Sequence, residues 1–116
     1  MERENIIVSK TIAFSLDIIS YAELLEEKKK YVIARQLLKS GTSIGANVHE
    51  AQNSESRADF IHKVKIAAKE VEETKYWLTL CKQAESYPFE ENLELQINEI
   101  GLIIYKILSS SKKFIK

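Results

Sequence analysis

The length, composition and charge of this chain limit its fold and function before any motif is considered. At 116 residues it is long enough to bury a hydrophobic core, and we expect a single domain over residues 1–116. Three glycines and one proline leave few of the turns that an all-β fold requires. Seventeen basic and seventeen acidic residues give no net charge, whereas a dedicated nucleic-acid-binding protein usually carries a basic excess.

The cysteine content and the hydropathy pattern indicate where the protein resides. Cys81 is the single cysteine, so no internal disulfide can form, as is typical of a reducing compartment. No uncharged apolar run approaches the roughly 20 residues that a membrane-spanning helix needs. The segment Met1–Asn5 also lacks the features of a secretory signal. We therefore expect a cytoplasmic protein without a membrane segment.

The first predicted helix, from about Glu4 to Glu27, has an unusually wide apolar face. Its main stripe consists of Ile7, Thr11, Phe14, Ile18, Tyr21 and Leu25, and a second stripe beside it of Val8, Ile12, Ile19 and Ala22. Two stripes exceed what the core of one bundle requires. This width indicates that the helix also packs against another subunit.

The second predicted helix begins near Tyr31 and carries a stripe of small and apolar residues. Its members are Ala34, Leu37, Gly41, Ile44, Val48 and Ala51. Small residues allow a neighbouring helix to approach closely, but a glycine inside a helix costs about 1 kcal/mol relative to alanine. Either the helix breaks at Gly41, with Ser40 or Thr42 capping a new helix, or packing against a partner overrides the low helix propensity of glycine. We favour one continuous helix, with Asn47 and Glu50 facing inward.

The third and fourth predicted helices complete an all-α fold. The third, about Ser56 to Glu85, follows an N-cap at Ser54 or Ser56. Its stripe is Phe60, Val64, Ala67, Val71, Thr74, Leu78 and Cys81. The fourth, about Glu90 to Lys113, follows a turn at Pro88, and its stripe is Leu93, Ile97, Ile100, Ile104, Ile107 and Ser111. Short connections favour antiparallel neighbours, so we predict an antiparallel up-down-up-down four-helix bundle.

No combination of residue types indicates a catalytic centre, a metal site or a cofactor site. Gly41 and Gly45 lack the Lys-Ser/Thr pair of a phosphate-binding loop. His49 is followed at zinc-protease spacing by Asn53 rather than by a second histidine, and the chain has only two histidines. Cys81 falls on a core position, where a thiol behaves as a small apolar group. We expect no catalytic residue, metal or cofactor.

Polar side chains lie on or beside the apolar stripes of the second and third helices. They are Asn47, Glu50, Glu70 and Glu73. Because buried polar groups need partners, we interpret them as a hydrogen-bonded network that sets helix register, with Arg35 or Arg57 as its cation. The alternative is a polar pocket or a polar contact between subunits.

The segment from Gln36 to Ala51, QLLKSGTSIGANVHEA, resembles a motif of the bacterial four-helix-bundle proteins called 23S rRNA intervening-sequence proteins. Further matches occur at Arg57, Phe60, Ala67, Glu73, Trp77 and Leu78, and the likeness extends over nearly the whole chain. The resemblance implies a homopentamer around a central axis and no enzymatic activity. It implies a structural role for Ser43, Ile44, Asn47, Glu50 and Phe60. The chain is also similar to the accessory variability determinant of diversity-generating retroelements, a basic pentamer that binds a reverse transcriptase and nucleic acid.

Two hypotheses for function follow from these observations. The first is a self-associating binding or scaffold protein that contacts RNA, or an RNA-handling protein, through basic residues clustered on one end or face. The candidates are Lys28, Lys29, Lys30, Arg35, Lys39, Lys112 and Lys113. The second is a protein-only assembly module whose partner docks at the bundle ends or in a central channel.

Overall fold

The computed structural model describes the backbone of residues 6–113 and the side chains of residues 6–111. Within that range the chain forms α1 (Ile6–Glu27), α2 (Tyr31–Ala51), α3 (Arg57–Gln83) and α4 (Glu91–Lys113). Each helix contacts the next one, and α4 contacts α1, so the helices close into a bundle 48 Å long. The predicted antiparallel four-helix bundle is confirmed. The predicted start of the first helix at Glu4 lies outside the described residues.

The predicted stripes form the core of the bundle. Every stripe residue of α2 and of the main stripe of α1 is buried, and Phe14, Ile18, Leu37 and Ile44 are fully so. Phe60 is the exception in α3. It packs against the core but remains partly exposed, because it lies in the first turn of α3 at the end of the bundle.

The glycines of α2 explain how this helix lies so close to α1. As we predicted, α2 continues through Gly41 without a break. A Cβ atom added to Gly41 would lie 3.0 Å from Ile18 Cγ2, and one added to Gly45 would lie 3.2 Å from Thr11 Cβ. Neither position has room for a side chain at the present separation of the helices. Packing against α1 therefore compensates for the low helix propensity of glycine.

The α1–α2 connection is a tight turn made entirely of lysines. Lys29 has a positive φ of 66°, the left-handed conformation that usually favours glycine. The Lys30 N–H donates to the Leu25 carbonyl at 2.8 Å, and the Lys29 N–H donates to the Glu26 carbonyl at 2.9 Å. These two bonds define a Schellman motif, which satisfies the last carbonyls of α1.

The other two connections are fixed by side chains. The Ser56 hydroxyl accepts a hydrogen bond from the Asp59 N–H at 3.0 Å, so Ser56 is the predicted N-cap of α3. On the α3–α4 side, the Tyr21 hydroxyl donates to the Pro88 carbonyl and ties that connection to α1. The first contact fixes the start of α3, and the second holds the α3–α4 connection against α1.

Candidate nucleic-acid and assembly surfaces

The α1–α2 turn presents consecutive lysines at one end of the bundle. Lys28 and Lys29 are exposed, and neither forms an ion pair within the part of the chain that the structure describes. Lys30 is half-buried, with Nζ 5.2 Å from the centroid of the Tyr87 ring. Because Tyr87 belongs to the α3–α4 connection, the two connections at this end lie against each other.

Arg35 and Lys39 continue the basic surface along α2. Both are exposed, and their spacing of four residues puts them on the same side of the helix. Lys39 also lies near Glu70 of α3. Burial and the neighbouring charge of Glu73 raise the pKa of Glu70, while Lys39 has a smaller opposite effect on that pKa. Arg35 and Lys39 therefore both extend the exposed basic surface from the turn onto α2.

Lys112 and Lys113 are separated from the other basic candidates. In the antiparallel bundle α4 ends at the opposite end from the α1–α2 turn. The side chains of Lys112 and Lys113 lie outside the described residues. The structure thus divides the candidates into two groups, one at each end of the bundle, and the larger group is the one at the α1–α2 turn.

Acidic residues surround the α1–α2 turn. Glu23, Glu26 and Glu27 are exposed in the last turns of α1, and Glu85 and Glu90 are exposed near the α3–α4 connection at the same end. Interactions between exposed charges are screened over about 8 Å at physiological salt. The lysines of the turn can therefore act on a phosphate in direct contact, but they do not create a basic field over the whole end.

The residues of the Gln36–Ala51 motif support helix α2 itself. Ile44 is fully buried in the core. The half-buried Ser43 hydroxyl donates to the Lys39 carbonyl at 2.7 Å, and the Asn47 amide donates to the Ser43 carbonyl at 2.9 Å. These bonds satisfy the two polar side chains within their own helix.

Our prediction that Glu50 faces inward is wrong. Glu50 is exposed, and its carboxylate accepts a hydrogen bond from Lys63 Nζ at 2.9 Å. This contact joins α2 to α3 and raises the pKa of Lys63. Val48 and Ala51 occupy the inner face at this level, and burying a carboxylate beside them would carry a large desolvation cost. The cation that pairs with Glu50 is Lys63, which the sequence analysis did not single out.

The other acidic side chains of the expected network also make local contacts. The exposed Glu73 carboxylate accepts a hydrogen bond from Trp77 Nε1 at 3.1 Å, one turn along α3. The Trp77 ring in turn meets the edge of Tyr76, with ring centroids 5.3 Å apart. Glu70 is half-buried beside them. The Glu50–Lys63 contact joins α2 to α3, whereas the Glu73–Trp77 contact lies within α3.

Cys81 lies in the core, as predicted. Burial raises its pKa, which disfavours the reactive thiolate form. Within residues 6–111, no group of three or more histidine, cysteine and acidic side chains could hold a metal ion. Over the same described residues, none of the helices is sufficiently long and hydrophobic to cross a membrane.

An apolar ridge runs along the outer side of α1. We define the α1 ridge as Ile12, Leu16 and Ile19, which are 54%, 59% and 38% exposed. Asp17 is the one charged residue between Thr11 and Ala22, and its carboxylate accepts a hydrogen bond from the Gln96 side chain at 2.8 Å. Sequence reasoning found Ile12 and Ile19 but missed Leu16. The low charge of the segment was the signal that could have found it.

A second apolar surface lies between α3 and α4. We define the α3–α4 groove, about 400 Å³ in volume, as the space lined by Ala68, Val71, Glu72, Lys75, Asn98, Gly101, Leu102, Ile104 and Tyr105. Leu102 and Tyr105 are 71% and 75% exposed on its α4 side. A Cβ atom added to Gly101 would meet Val71 only at ordinary contact distance, 3.4 Å away. The sequence pattern did not reveal Leu102 or the groove.

Comparison with known proteins agrees with the fold and the motif. The model of the family described as "23S rRNA-intervening sequence protein" matches residues 3–106, which is most of the chain. This chain belongs to the 23S rRNA-intervening sequence protein family. The match covers all of α1, α2 and α3 and most of α4, so membership in the family applies to the whole bundle.

A solved structure is similar to this family member over nearly its full length. It is the crystal structure of a protein of unknown function from the S23 ribosomal protein family of Bacteroides thetaiotaomicron. The two chains are 40% identical with a TM-score of 0.84, and the match covers 89% of this chain and 98% of the other. Comparison with curated proteins finds no match.

Proposed function

We propose that this family member is a non-enzymatic cytoplasmic scaffold that assembles from copies of itself and binds RNA in the assembled form. The observation that carries the proposal is the α1 ridge, an exposed apolar surface whose three members are uncharged. The resemblance to intervening-sequence proteins supports a pentamer. Light scattering should then give a mass five times that of the 13.3 kDa chain.

The contacts of the polar side chains support a role without catalysis. Nucleophilic catalysis needs a thiol or hydroxyl within reach of a base. The Cys81 thiol is buried with a raised pKa, and the Ser40 hydroxyl is engaged with Thr74 in the core. The Ser43 hydroxyl donates to a carbonyl of its own helix. Each of these side chains is therefore either packed in the core or hydrogen-bonded to the backbone of its own helix.

The α1–α2 turn supports contact with RNA. Lys28, Lys29 and Arg35 are exposed cations at one end of the bundle, where they can pair with phosphate oxygens. In a cyclic assembly every copy presents this turn in an equivalent position. Repetition converts several weak phosphate contacts into one multivalent interaction, which offsets the lack of net positive charge.

A filter-binding titration with a structured RNA hairpin tests this contact. We expect retention at low salt that weakens as salt rises, because bound lysines release counterions from the phosphates. The variant Lys28→Gln/Lys29→Gln/Arg35→Gln should bind at least tenfold more weakly and show a smaller salt slope. Lys65→Gln/Lys69→Gln/Lys106→Gln removes the same charge at exposed positions elsewhere and should behave like the wild type. A lack of retention at low salt contradicts RNA binding.

The second candidate function is a protein-only assembly module. The acids around the turn favour it, since Glu23, Glu26 and Glu27 repel phosphate at the place where the lysines would bind it. In this case a pull-down with the assembled protein should keep the same partner after nuclease treatment. Loss of every partner on nuclease treatment would exclude this candidate.

A further inference from the structure

The α1 ridge and the α3–α4 groove are two unpartnered apolar surfaces on different sides of the bundle. Helices α1 and α3 occupy a diagonal, because they make no direct backbone contact within the described residues. The ridge projects from α1, whereas the groove opens between α3 and α4. A single copy therefore cannot cover its own ridge with its own groove.

The two surfaces correspond in length. The ridge extends along α1 from Ile12 to Ile19, and the α4 side of the groove extends from Asn98 to Tyr105. Each span is about 10 Å at 1.5 Å of rise per residue. In both surfaces the residues recur at spacings of three and four along the helix. This spacing lets the side chains of one helix pack between those of another. Gly101 leaves the middle of the groove without a side chain. When the ridge docks, a central ridge residue such as Leu16 would occupy that space.

The charges at both surfaces also allow contact. The one carboxylate in the middle of α1, Asp17, is already bonded to Gln96 and lies beside the ridge. The charged residues of the groove lining are Glu72 and Lys75, which pair with each other at 3.8 Å. Docking would therefore bury apolar side chains while Glu72 keeps its pairing with Lys75 and Asp17 keeps its hydrogen bond to Gln96.

We infer that the α1 ridge of one copy inserts into the α3–α4 groove of a second copy. The inference rests on the self-association in the proposed function and names the surfaces that carry it. Because ridge and groove differ, the contact is heterologous, and each added copy offers one free ridge and one free groove. Such head-to-tail contacts close into rings when the rotation between copies permits.

Variants with a charge in one surface test the contact. Leu16→Glu alters the ridge and Leu102→Glu alters the groove, and both positions are more than half exposed, so the bundle should still fold. Val32→Glu is the matched control, because Val32 is 68% exposed and belongs to neither surface. Circular dichroism checks folding, and light scattering with native mass spectrometry measures the mass of each variant alone and of Leu16→Glu mixed with Leu102→Glu.

The mixture distinguishes this contact from a symmetric one. Leu16→Glu keeps an intact groove and Leu102→Glu keeps an intact ridge. We expect each variant alone to be a monomer, the mixture to form a 1:1 dimer that grows no further, and Val32→Glu to keep the wild-type mass. A mixture of folded variants that stays monomeric overturns the inference. So does Leu102→Glu alone at the wild-type mass, which is the result expected if ridges pair with ridges, because that variant keeps its ridge.

The remaining outcomes separate this inference from the proposed function. A wild-type oligomer whose mass is unchanged by both Leu16→Glu and Leu102→Glu overturns the docking contact and leaves self-association standing. A wild-type protein that stays monomeric at all concentrations overturns self-association and the contact together.

Discussion

The Thr74 hydroxyl donates a hydrogen bond to the Ser40 hydroxyl at 2.9 Å, and both side chains are buried where α2 and α3 meet. Thr74 is completely inaccessible to solvent, so water cannot replace this bond. The contact matters because the other core contacts between α2 and α3 are apolar, and apolar contacts do not require a particular orientation. A hydrogen bond has a preferred geometry and therefore restricts how α2 slides along α3.

Replacing Thr74 with valine should destabilise the bundle by about 1–2 kcal/mol, because the shape is kept but the buried Ser40 hydroxyl loses its partner. The double variant Ser40→Ala/Thr74→Val should lose less than the sum of the two single changes, since no polar group is then left unpaired. Urea unfolding at one fixed protein concentration measures these free energies. Strict additivity would show that the bond contributes nothing to coupling between the helices.

Adding a methyl group at Gly41 should destabilise the protein even though alanine favours helix. The new Cβ atom would lie 3.0 Å from Ile18 Cγ2 in the core, and overpacking of this kind costs about 1–3 kcal/mol. The gain in helix propensity is about 1 kcal/mol. The reverse change at an exposed position of the same helix, Ala46→Gly, calibrates that gain. If Gly41→Ala stabilised the bundle by as much as Ala46→Gly destabilises it, α2 would not be in tight contact with α1.

Replacing Lys29 with glycine should stabilise the protein. A residue with a Cβ atom is strained by about 1–2 kcal/mol in the left-handed conformation, whereas glycine is not. Glycine also makes the unfolded chain more flexible, so the net gain should be roughly 0.5 kcal/mol. Lys28→Gly removes the same charge from a residue without a positive φ and should destabilise. Thermal melts of the two variants compare these effects. An equal fall in melting temperature for both variants would show that the strain at Lys29 is negligible.

Helical periodicity predicted the fold and the core because both depend on spacing within one helix. Ile18 and Ile44 fall on inward positions of their own helices, whatever lies opposite them. The continuity of α2 through Gly41 was also predictable, since a stripe of small residues is useful only if another helix packs on it. These inferences need no knowledge of how the helices are placed relative to one another.

The surfaces were not predictable in the same way because they depend on two helices at once. Glu50 lies between two buried positions of α2, and its partner Lys63 is on the next helix. The lining of the α3–α4 groove includes Ala68 and Gly101, two small residues that are distant in the chain and belong to different helices. Leu102 lies outside the stripe of α4, and the pattern of that one helix does not show that it borders a groove.

The half-buried carboxylate of Glu70 should oppose folding at neutral pH. Burial, aided by the charge of Glu73, raises the pKa of Glu70 above its value in the unfolded chain. The folded state then binds the proton more tightly, so stability falls as pH rises from the unfolded pKa, about 4.3, to the folded one. Glu70→Gln removes the charge and should raise the melting temperature at pH 7.

The pH dependence of the difference between wild type and Glu70→Gln identifies the cause. The advantage of the variant should shrink as pH falls below about 4, where the wild-type carboxyl is protonated in both states. Glu23→Gln removes an exposed carboxylate of α1 that forms no ion pair among the described residues, and it controls for the change in net charge. Melting curves from pH 3 to pH 8 measure both differences. A variant advantage that is independent of pH would mean that packing of the amide, and not relief of a buried charge, stabilises the variant.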